Sequence, residues 1–361
     1  MFADDLFLFG YANDKALLTV REMLEVYSMW SGQVINYKNS SIFFRPKLNS
    51  EEGSALAEIL GVQIMDKGDK YLGHFILLPK SRVSTYDGLI EKCMNRLKGW
   101  KCSTLNHAGR LALIKSTRGS IPIFFMAVYK IPKCITDRIT QIQRNFWWNH
   151  TDGGKHLILQ AWHKICLSKE NGGLGIRLPD LINKALLGKL AWRFIINKDE
   201  FWVQFLTAKY LKMQSFWSYH LVSGACSSWT GIILGREVIR KYTCWLVGDG
   251  FRIRLWTDPW VPSIPGLRVE GYPHAQLMVQ RVVDLLISGT RSWNVSLIRS
   301  YFPPHEANAI LKIRLPKEAV EDRLIWTLTP NGVFSTKSVY KSLIQEVPSS
   351  STSIDHSFNW Q

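Results

Sequence analysis

The sequence predicts an α+β protein, and three observations carry that prediction. Apolar residues recur every three or four positions in several separate stretches, most densely between residues 81 and 148. Short aromatic and β-branched runs bounded by turn residues lie before and after that helical stretch, segregated from it. Hydrophobic residues make up 46% of 361, with fifteen tryptophans, which is enough for two or three modules with real cores and excludes disorder by composition.

Taken in order, Phe2 to Phe9 sets Asp4 and Asp5 between apolar flanks, the pattern of a hairpin tip whose second strand follows the acids. Almost nothing precedes Ala3, so the first strand of that hairpin is nearly absent and the chain is expected to be a piece of a longer structure. A helix is predicted over 15–30, with Leu17, Val20, Leu24 and Tyr27 as its apolar stripe and Ser31-Gly32 as its end. Val34–Asn36 and Ile42–Phe44 are strand candidates around a turn at Lys38-Asn39-Ser40, and Tyr71–Leu78 is another, closed by Pro79. Three helices follow. The first carries Val83, Tyr86, Ile90, Met94 and Leu97 on one face; the second runs from about Ala108 to Arg118, with Leu111 and Ile114 inward. The third runs from Asp137 to Trp148, with Thr136 as its expected N-cap and Ile135, Ile139, Ile142 and Phe146 as its stripe.

Further on, Asn171 to Gly175 reads as a turn and Asn183–Ile196 as a mostly apolar helix. Gly248-Asp249-Gly250 signals a hairpin, and behind it Phe251, Ile253 and Leu255 alternate with Arg252, Arg254 and Trp256, a half-buried strand with a basic face. Residues 326–343 hold a turn at Asn331-Gly332 and then a short helix; a Ser-rich linker at 348–353 precedes an end that reads as a cut.

The formal net charge of +16 favours a polyanionic partner, nucleic acid or an acidic membrane surface. Its distribution is uneven. Residues 1–79 hold seven Lys/Arg against ten Asp/Glu, and residues 80–150 hold thirteen against three. An acidic start beside a basic track suits an enzyme that holds metal ions and grips a phosphate backbone; a solvated helical surface is the plainer alternative. The six cysteines show no Cys-x-x-Cys pairing and read as reduced, mostly buried thiols of an intracellular protein, with neither nucleus nor cytoplasm favoured. No apolar run approaches the ~20 residues that span a bilayer, and no membrane partner is expected. His156 and His163 stand at no recognised ligand spacing and read as surface or hydrogen-bonded histidines. Gly172 to Gly175 lacks the Gly-Lys-Ser/Thr of a phosphate-binding loop, and no nucleophile elbow or His-Glu-x-x-His helix occurs.

Adjacent acids at a hairpin tip suit two-metal phosphoryl transfer, in which carboxylates converge on a pair of Mg²⁺ ions about 4 Å apart. Phe2-Ala3-Asp4-Asp5 followed by apolar residues resembles the (Phe/Tyr)-x-Asp-Asp motif of reverse transcriptases. Ser31 to Ser40 and Tyr71-Leu72-Gly73-His74 are similar to the next palm motif and the primer grip of the plant non-LTR, long-interspersed-element enzymes. Leu97 to Lys101, Ala108 to Ser116, Ser120-Ile121-Pro122 and Arg144 to Trp148 resemble their thumb; Gly172 to Arg177, Gly248-Asp249-Gly250 and Trp256 to Trp260 resemble the region after it. Asp322 to Trp326 and Lys337 to Tyr340 resemble the opening of their zinc-binding module. The resemblance covers essentially the whole chain, in collinear order.

That resemblance implies a palm remnant over 1–79, a basic helical thumb over 80–150, a mixed α/β, Trp-rich connection region over 151–320 and the truncated start of a zinc-binding domain over 321–361. It implies Asp4 and Asp5 as Mg²⁺ carboxylates, and Lys38 near the incoming triphosphate, although an exposed turn lysine fits equally. It implies Tyr71, Leu72 and Gly73 at the primer terminus, where ordinary strand packing is the alternative for the first two. Lys92, Arg96, Lys98, Lys101, Arg110 and Lys115 would touch the phosphates of an RNA template, an RNA–DNA hybrid or a DNA primer-template. The family's further palm aspartate has no counterpart here, so the chain alone is expected to be inactive as an RNA-directed DNA polymerase. No zinc is expected, since Cys226 and Cys244 have no partners at ligand spacing. A non-catalytic nucleic-acid-binding module and a pseudogene product without a selected role are the rival readings.

Overall fold

A computed structural model describes residues 6–44, 48, 50–66, 70–71, 74–75, 86–97, 104–120, 123–148, 158, 160–212, 214–272, 274–318 and 320–346. The architecture is α+β, mostly helical with small two-stranded sheets, and the chain divides into two compact units, 1–85 and 86–361.

In the first unit, helix α1 (Asp14–Ser31) starts at Asn13, whose side chain accepts the Ala16 N–H at 2.8 Å, and stops at Gly32, which adopts φ 69° and returns its N–H to Ser28. Its stripe is only partly covered. Leu17 is buried, Val20 and Leu24 are half-buried, and Tyr27 is exposed, its hydroxyl donating to Gln33 Oε1 at 2.7 Å. Helix α2 (Ser50–Leu60), which the sequence reading did not anticipate, packs on α1 through Leu56 and Ala57, and Arg21 Nη1 donates to Ile59 O at 3.2 Å.

Helix α2 is the crossover between β1 (Ser41–Ile42) and β2 (Gln63–Ile64), which pair in parallel with Ser41 opposite Gln63. The strand expected at 42–44 is therefore a two-residue piece, and Val34–Asn36 is no strand. Asn36 Oδ1 accepts the Asn39 N–H, and this local bond draws Tyr37–Asn39 into a 3-10 turn. The strand expected at 71–78 is instead two short ones, β3 (Lys70–Tyr71) and β4 (His74–Phe75), antiparallel with Tyr71 opposite His74; residues 76–78 lie outside the described residues.

In the second unit, α3 (Asp87–Leu97) buries Leu89, Ile90, Cys93 and Leu97, with Tyr86 beside them. Helices α4 (His107–Ser120), α5 (Ile123–Met126) and α6 (Lys133–Trp147) follow. Helix α6 begins one turn earlier than expected. Pro132, at φ −56°, precedes its first residue, so Thr136 lies inside the helix, buried, with Oγ1 donating to Lys133 O at 2.9 Å. The helical group does not close a core by itself. Ile182 of α8 (Pro179–Ile196) joins Ile90, Met126, Ile131, Ile135 and Ile139 in one cluster. Asn183, fully buried, fixes the junction: Oδ1 accepts the Ile131 N–H at 2.9 Å, and Nδ2 donates to Met126 O and Tyr129 O. Each of those backbone groups would otherwise be buried without a partner.

Helix α7 (Trp162–Cys166) places Ile165 and Cys166 against Ile114, Trp147 and Ile176. Helix α8 is buried on most sides, as its continuous apolarity predicts, because α6, α10 (Ser227–Ile239) and α14 (Thr336–Gln345) all pack on it. An aromatic core gathers there around Trp229 and Trp326, with α9 (Phe201–Leu206) at its edge. Strand β5 (Thr243–Leu246) pairs antiparallel with β6 (Arg323–Trp326), Cys244 opposite Ile325.

Between these two strands, a further core forms around Ile253, Leu255, Trp260 and Phe302. It includes residues of α12 (Val295–Tyr301) and α13 (Pro304–Leu311), and α11 (Ala275–Met278) leads into it at Val279. The hairpin expected at Gly248-Asp249-Gly250 is a loop, since the partner of β5 comes from residues 323–326. The alternation behind it survives in burial: Ile253 and Leu255 are buried, and Arg252 and Arg254 exposed. Only Arg254 forms a bridge there, and Phe251 faces solvent. The turn at Gly332 and the helix after it stand as predicted.

Cys93, Cys166 and Cys244 are buried, whereas Cys134 and Cys226 are exposed; all five are free thiols. Among the described residues, no helix is long and apolar enough to cross a membrane.

Candidate nucleic-acid interface

Helix α3 presents Lys92 and Arg96 to solvent beside the buried Ile90, Cys93 and Leu97. The two cations lie one turn apart, where like charges repel unless an anion lies across them. Burial pushes the Cys93 thiol, which turns toward the core beside them, up to about 11, which marks how dry that side is. Helix α6 adds exposed Lys133 and Arg138. Lys98 and Lys101 lie outside the described residues.

Two of the expected phosphate contacts have structural partners. Arg110 is half-buried; its Nε donates to Leu105 O at 3.0 Å and its Nη1 to Trp147 O at 3.3 Å, so the guanidinium ties the start of α4 to the end of α6. A cation at the carbonyl end of a helix is also electrostatically favourable. Lys115 is half-buried on α4, with Nζ 3.9 Å from the position a Cβ on Gly175 would occupy. In the first unit, Lys38 is exposed within the Tyr37–Asn39 turn, and Tyr71 lies in β3 opposite His74. Asp4, Asp5, Leu72 and Gly73 lie outside the described residues, and among the described residues no three His, Cys, Asp or Glu side chains cluster as a metal would require.

Two of the sequence segments singled out above, Arg144 to Trp148 and Gly172 to Arg177, meet around one open cleft of about 650 Å³. His107 comes from the start of α4, Trp147 and Trp148 from the end of α6, and Gly172 to Leu174 from the glycine turn; Lys164 of α7 supplies a cation. The His107 ring lies 5.0 Å from Trp147, and Trp147 meets Trp148 edge-on at 6.5 Å. The Trp148 Nε1–H is buried with no acceptor among the described residues. Gly173 is required there: a Cβ would lie 2.2 Å from Leu167 O. An exposed imidazole and a half-buried indole beside Lys164 suit a stacked base and a phosphate. His107 and Lys164 were missed from the sequence. His107 directly precedes the Ala108-Gly109-Arg110 segment, but nothing in its spacing marks it, and Lys164 becomes meaningful only once α7 is packed.

No family model matches the chain. Over 279 residues it is 33% identical to a protein of Arabidopsis thaliana named "Putative ribonuclease H protein", an alignment covering 76% of this chain and 45% of that relative. Over 143 residues it is 29% identical to an Arabidopsis thaliana "Uncharacterized mitochondrial protein", covering 39% of this chain and 93% of that relative. The chain thus spans less than half the length of the first of these plant relatives and nearly all of the second.

Proposed function

We propose that this chain is the palm-end, thumb and connection portion of a plant-type non-LTR retrotransposon reverse transcriptase, and that its own contribution is to hold nucleic acid by the sugar-phosphate backbone. The meeting of His107, Trp147-Trp148, Lys164 and Gly172 to Leu174 around one aromatic, cationic cleft carries this reading. These residues are dispersed in sequence, yet all but Lys164 lie within or next to motifs that resemble the same enzyme family. The name of the 33% identical relative, a ribonuclease H protein, is in keeping with a nucleic-acid ligand.

In this reading, Lys92 and Arg96, with Lys98 and Lys101, neutralise phosphates without reading sequence, and the cleft holds a base against His107 and Trp148. Asp4 and Asp5 supply carboxylates for Mg²⁺, which when bound would activate a primer 3′-hydroxyl and stabilise the leaving pyrophosphate. Lys38 and the Tyr71-Leu72-Gly73 segment lie near the triphosphate and primer end. Two adjacent carboxylates are fewer ligands than a metal pair takes, so primer extension would need a further carboxylate beside Asp4 and Asp5.

The test is binding of a labelled RNA–DNA hybrid by the full chain. Lys92→Glu combined with Arg96→Glu, both exposed, is expected to weaken binding at least tenfold with unchanged circular dichroism. Unchanged affinity would remove the basic helical face from the function, and Mg²⁺-dependent primer extension abolished by Asp4→Ala would overturn the expected inactivity.

A further inference from the structure

A second cationic cleft, of about 620 Å³ and sharing no lining residue with the first, lies between the end of α8 and the loops around β5. Lys198, Trp245, Arg252, Arg254 and Arg281 line it, with Asp199 the one acid among the lining residues.

Its central feature is a pair of like charges held together by backbone. Arg254 and Arg281 face each other in an isolated antiparallel bridge, flanked by Leu255 N–H to Gln280 O at 2.9 Å and Val282 N–H to Ile253 O at 3.2 Å. That bonding pattern makes them a non-hydrogen-bonded pair, the arrangement that brings opposite side chains closest. Like charges there are destabilising. Compensation by neighbouring acids is partial: the Asp258 carboxylate attracts Arg254 through space, but among the described residues no carboxylate lies within 4 Å of either guanidinium. Asp258 accepts the Arg254 backbone N–H through Oδ2, and Asp284 accepts those of Gln280 and Arg281. Arg252 is paired with Glu321 at 2.9 Å, both side chains more than half exposed, and Arg281 Nη1 donates to Phe251 O.

Trp245 is half-buried, one side against the core and part of its ring lining the cleft. Trp245 Nε1–H is buried and has no acceptor among the described residues. The supports are rigid, since the Arg252 N–H is held by the buried Asp322 carboxylate at 2.8 Å.

We infer that this cleft binds a single-stranded nucleic-acid segment, one phosphate lying between Arg254 and Arg281 and a base against Trp245. A phosphate offsets the repulsion that the bridge enforces, and an indole face accepts any base, so recognition is of backbone rather than sequence. An acidic peptide would satisfy the arginines but would leave the tryptophan wall without a planar partner. This inference rests on the nucleic-acid reading above but assigns a different strand to a different surface.

Binding of a labelled ten-nucleotide oligo-uridine to the full chain tests it. Arg254→Gln and Arg281→Gln are each expected to weaken binding about tenfold while raising the melting temperature of the free protein, because each relieves the like-charge pair. Lys92→Glu with Arg96→Glu is expected to lose the RNA–DNA hybrid but keep the oligonucleotide, so the two readings fail separately. Retained oligonucleotide affinity in both arginine variants would overturn the inference. Displacement of the oligonucleotide by oligo-glutamate at equal charge concentration would overturn it too, in favour of an acidic peptide.

Discussion

The Asp322 carboxylate accepts the Gly248 backbone N–H at 2.7 Å, joining residues 74 apart in the chain. The same Oδ1 accepts the Gly250 N–H at 2.9 Å, and Oδ2 takes the Arg252 N–H. One buried carboxylate thus anchors the whole loop that leaves β5 against the entry to β6. It also unites two sequence motifs, Gly248-Asp249-Gly250 and Asp322 to Trp326, whose likeness to one family gave no hint that they touch.

Replacing Asp322 with alanine orphans three N–H donors in and around a buried loop. At about 1–3 kcal/mol for each buried unsatisfied donor, a loss of about 3 kcal/mol or more is expected. Asp322→Asn keeps one acceptor oxygen and should lose less. Urea denaturation followed by tryptophan fluorescence measures both, and an alanine variant as stable as the parent would contradict the anchor.

Gly235 and Gly88 make an opposed pair. A Cβ on Gly235 would lie 2.1 Å from Leu187 O, which is backbone and cannot swing aside, so α8 and α10 must part. Gly235→Ala is expected to destabilise by about 2 kcal/mol or more. Gly88 lies in α3 with open space where its Cβ would be, and Gly88→Ala should stabilise by about 0.5–1 kcal/mol. Thermal denaturation should move the two variants in opposite directions.

Thiol labelling at neutral pH should separate the cysteines by burial. Cys134 and Cys226 are exposed; burial pushes Cys93 up to about 11 and Cys244 up to about 12. Since the thiolate is the reactive form, iodoacetamide followed by peptide mass mapping is expected to modify Cys134 and Cys226 first. The other two should react only on unfolding.

How much of this was legible in the sequence follows from where the information lies. The helices between 87 and 147 were readable because Ile90, Leu97, Ile114, Ile135 and Ile139 repeat at helical spacing and do face a core. The first turn of α6 was not, because Thr136 looks like a cap whereas Pro132, four residues earlier, fits the start equally well. Helix α2 was missed because its apolar face, Leu56 and Ala57, is short and sits among acids and small residues. The hairpin expected at Gly250 failed for a different reason: its local turn signal is real, with φ 76°, but pairing is tertiary and β5 found residues 323–326. Arg281 and Lys198 escaped notice because nothing in sequence places them beside Arg254.

Asp180 should give stability an acid-side dependence. Burial raises its pKa, but the hydrogen bond from Lys184 at 2.8 Å and the charge and hydrogen bond of Lys130 at 3.1 Å outweigh it, so the folded value lies below the ordinary 3.8. The stabilisation is therefore fully present above 3.8 and is lost as pH falls through the folded value. With both lysines partly exposed, its size is about 1 kcal/mol or less. Asp180→Asn should flatten the fall of the urea midpoint below pH 3.8 relative to the parent protein; an unchanged profile there would remove Asp180 from the acid response.

The salt dependence of RNA–DNA hybrid binding tests the basic helical face most directly. With four to six phosphates neutralised, log K against log salt concentration should fall with a slope of about −3 to −5, and Lys92→Ala with Arg96→Ala should reduce its magnitude by between about 1 and 2. A slope near zero, or one that the double variant leaves unchanged, would contradict the assignment of this chain as a nucleic-acid-holding segment.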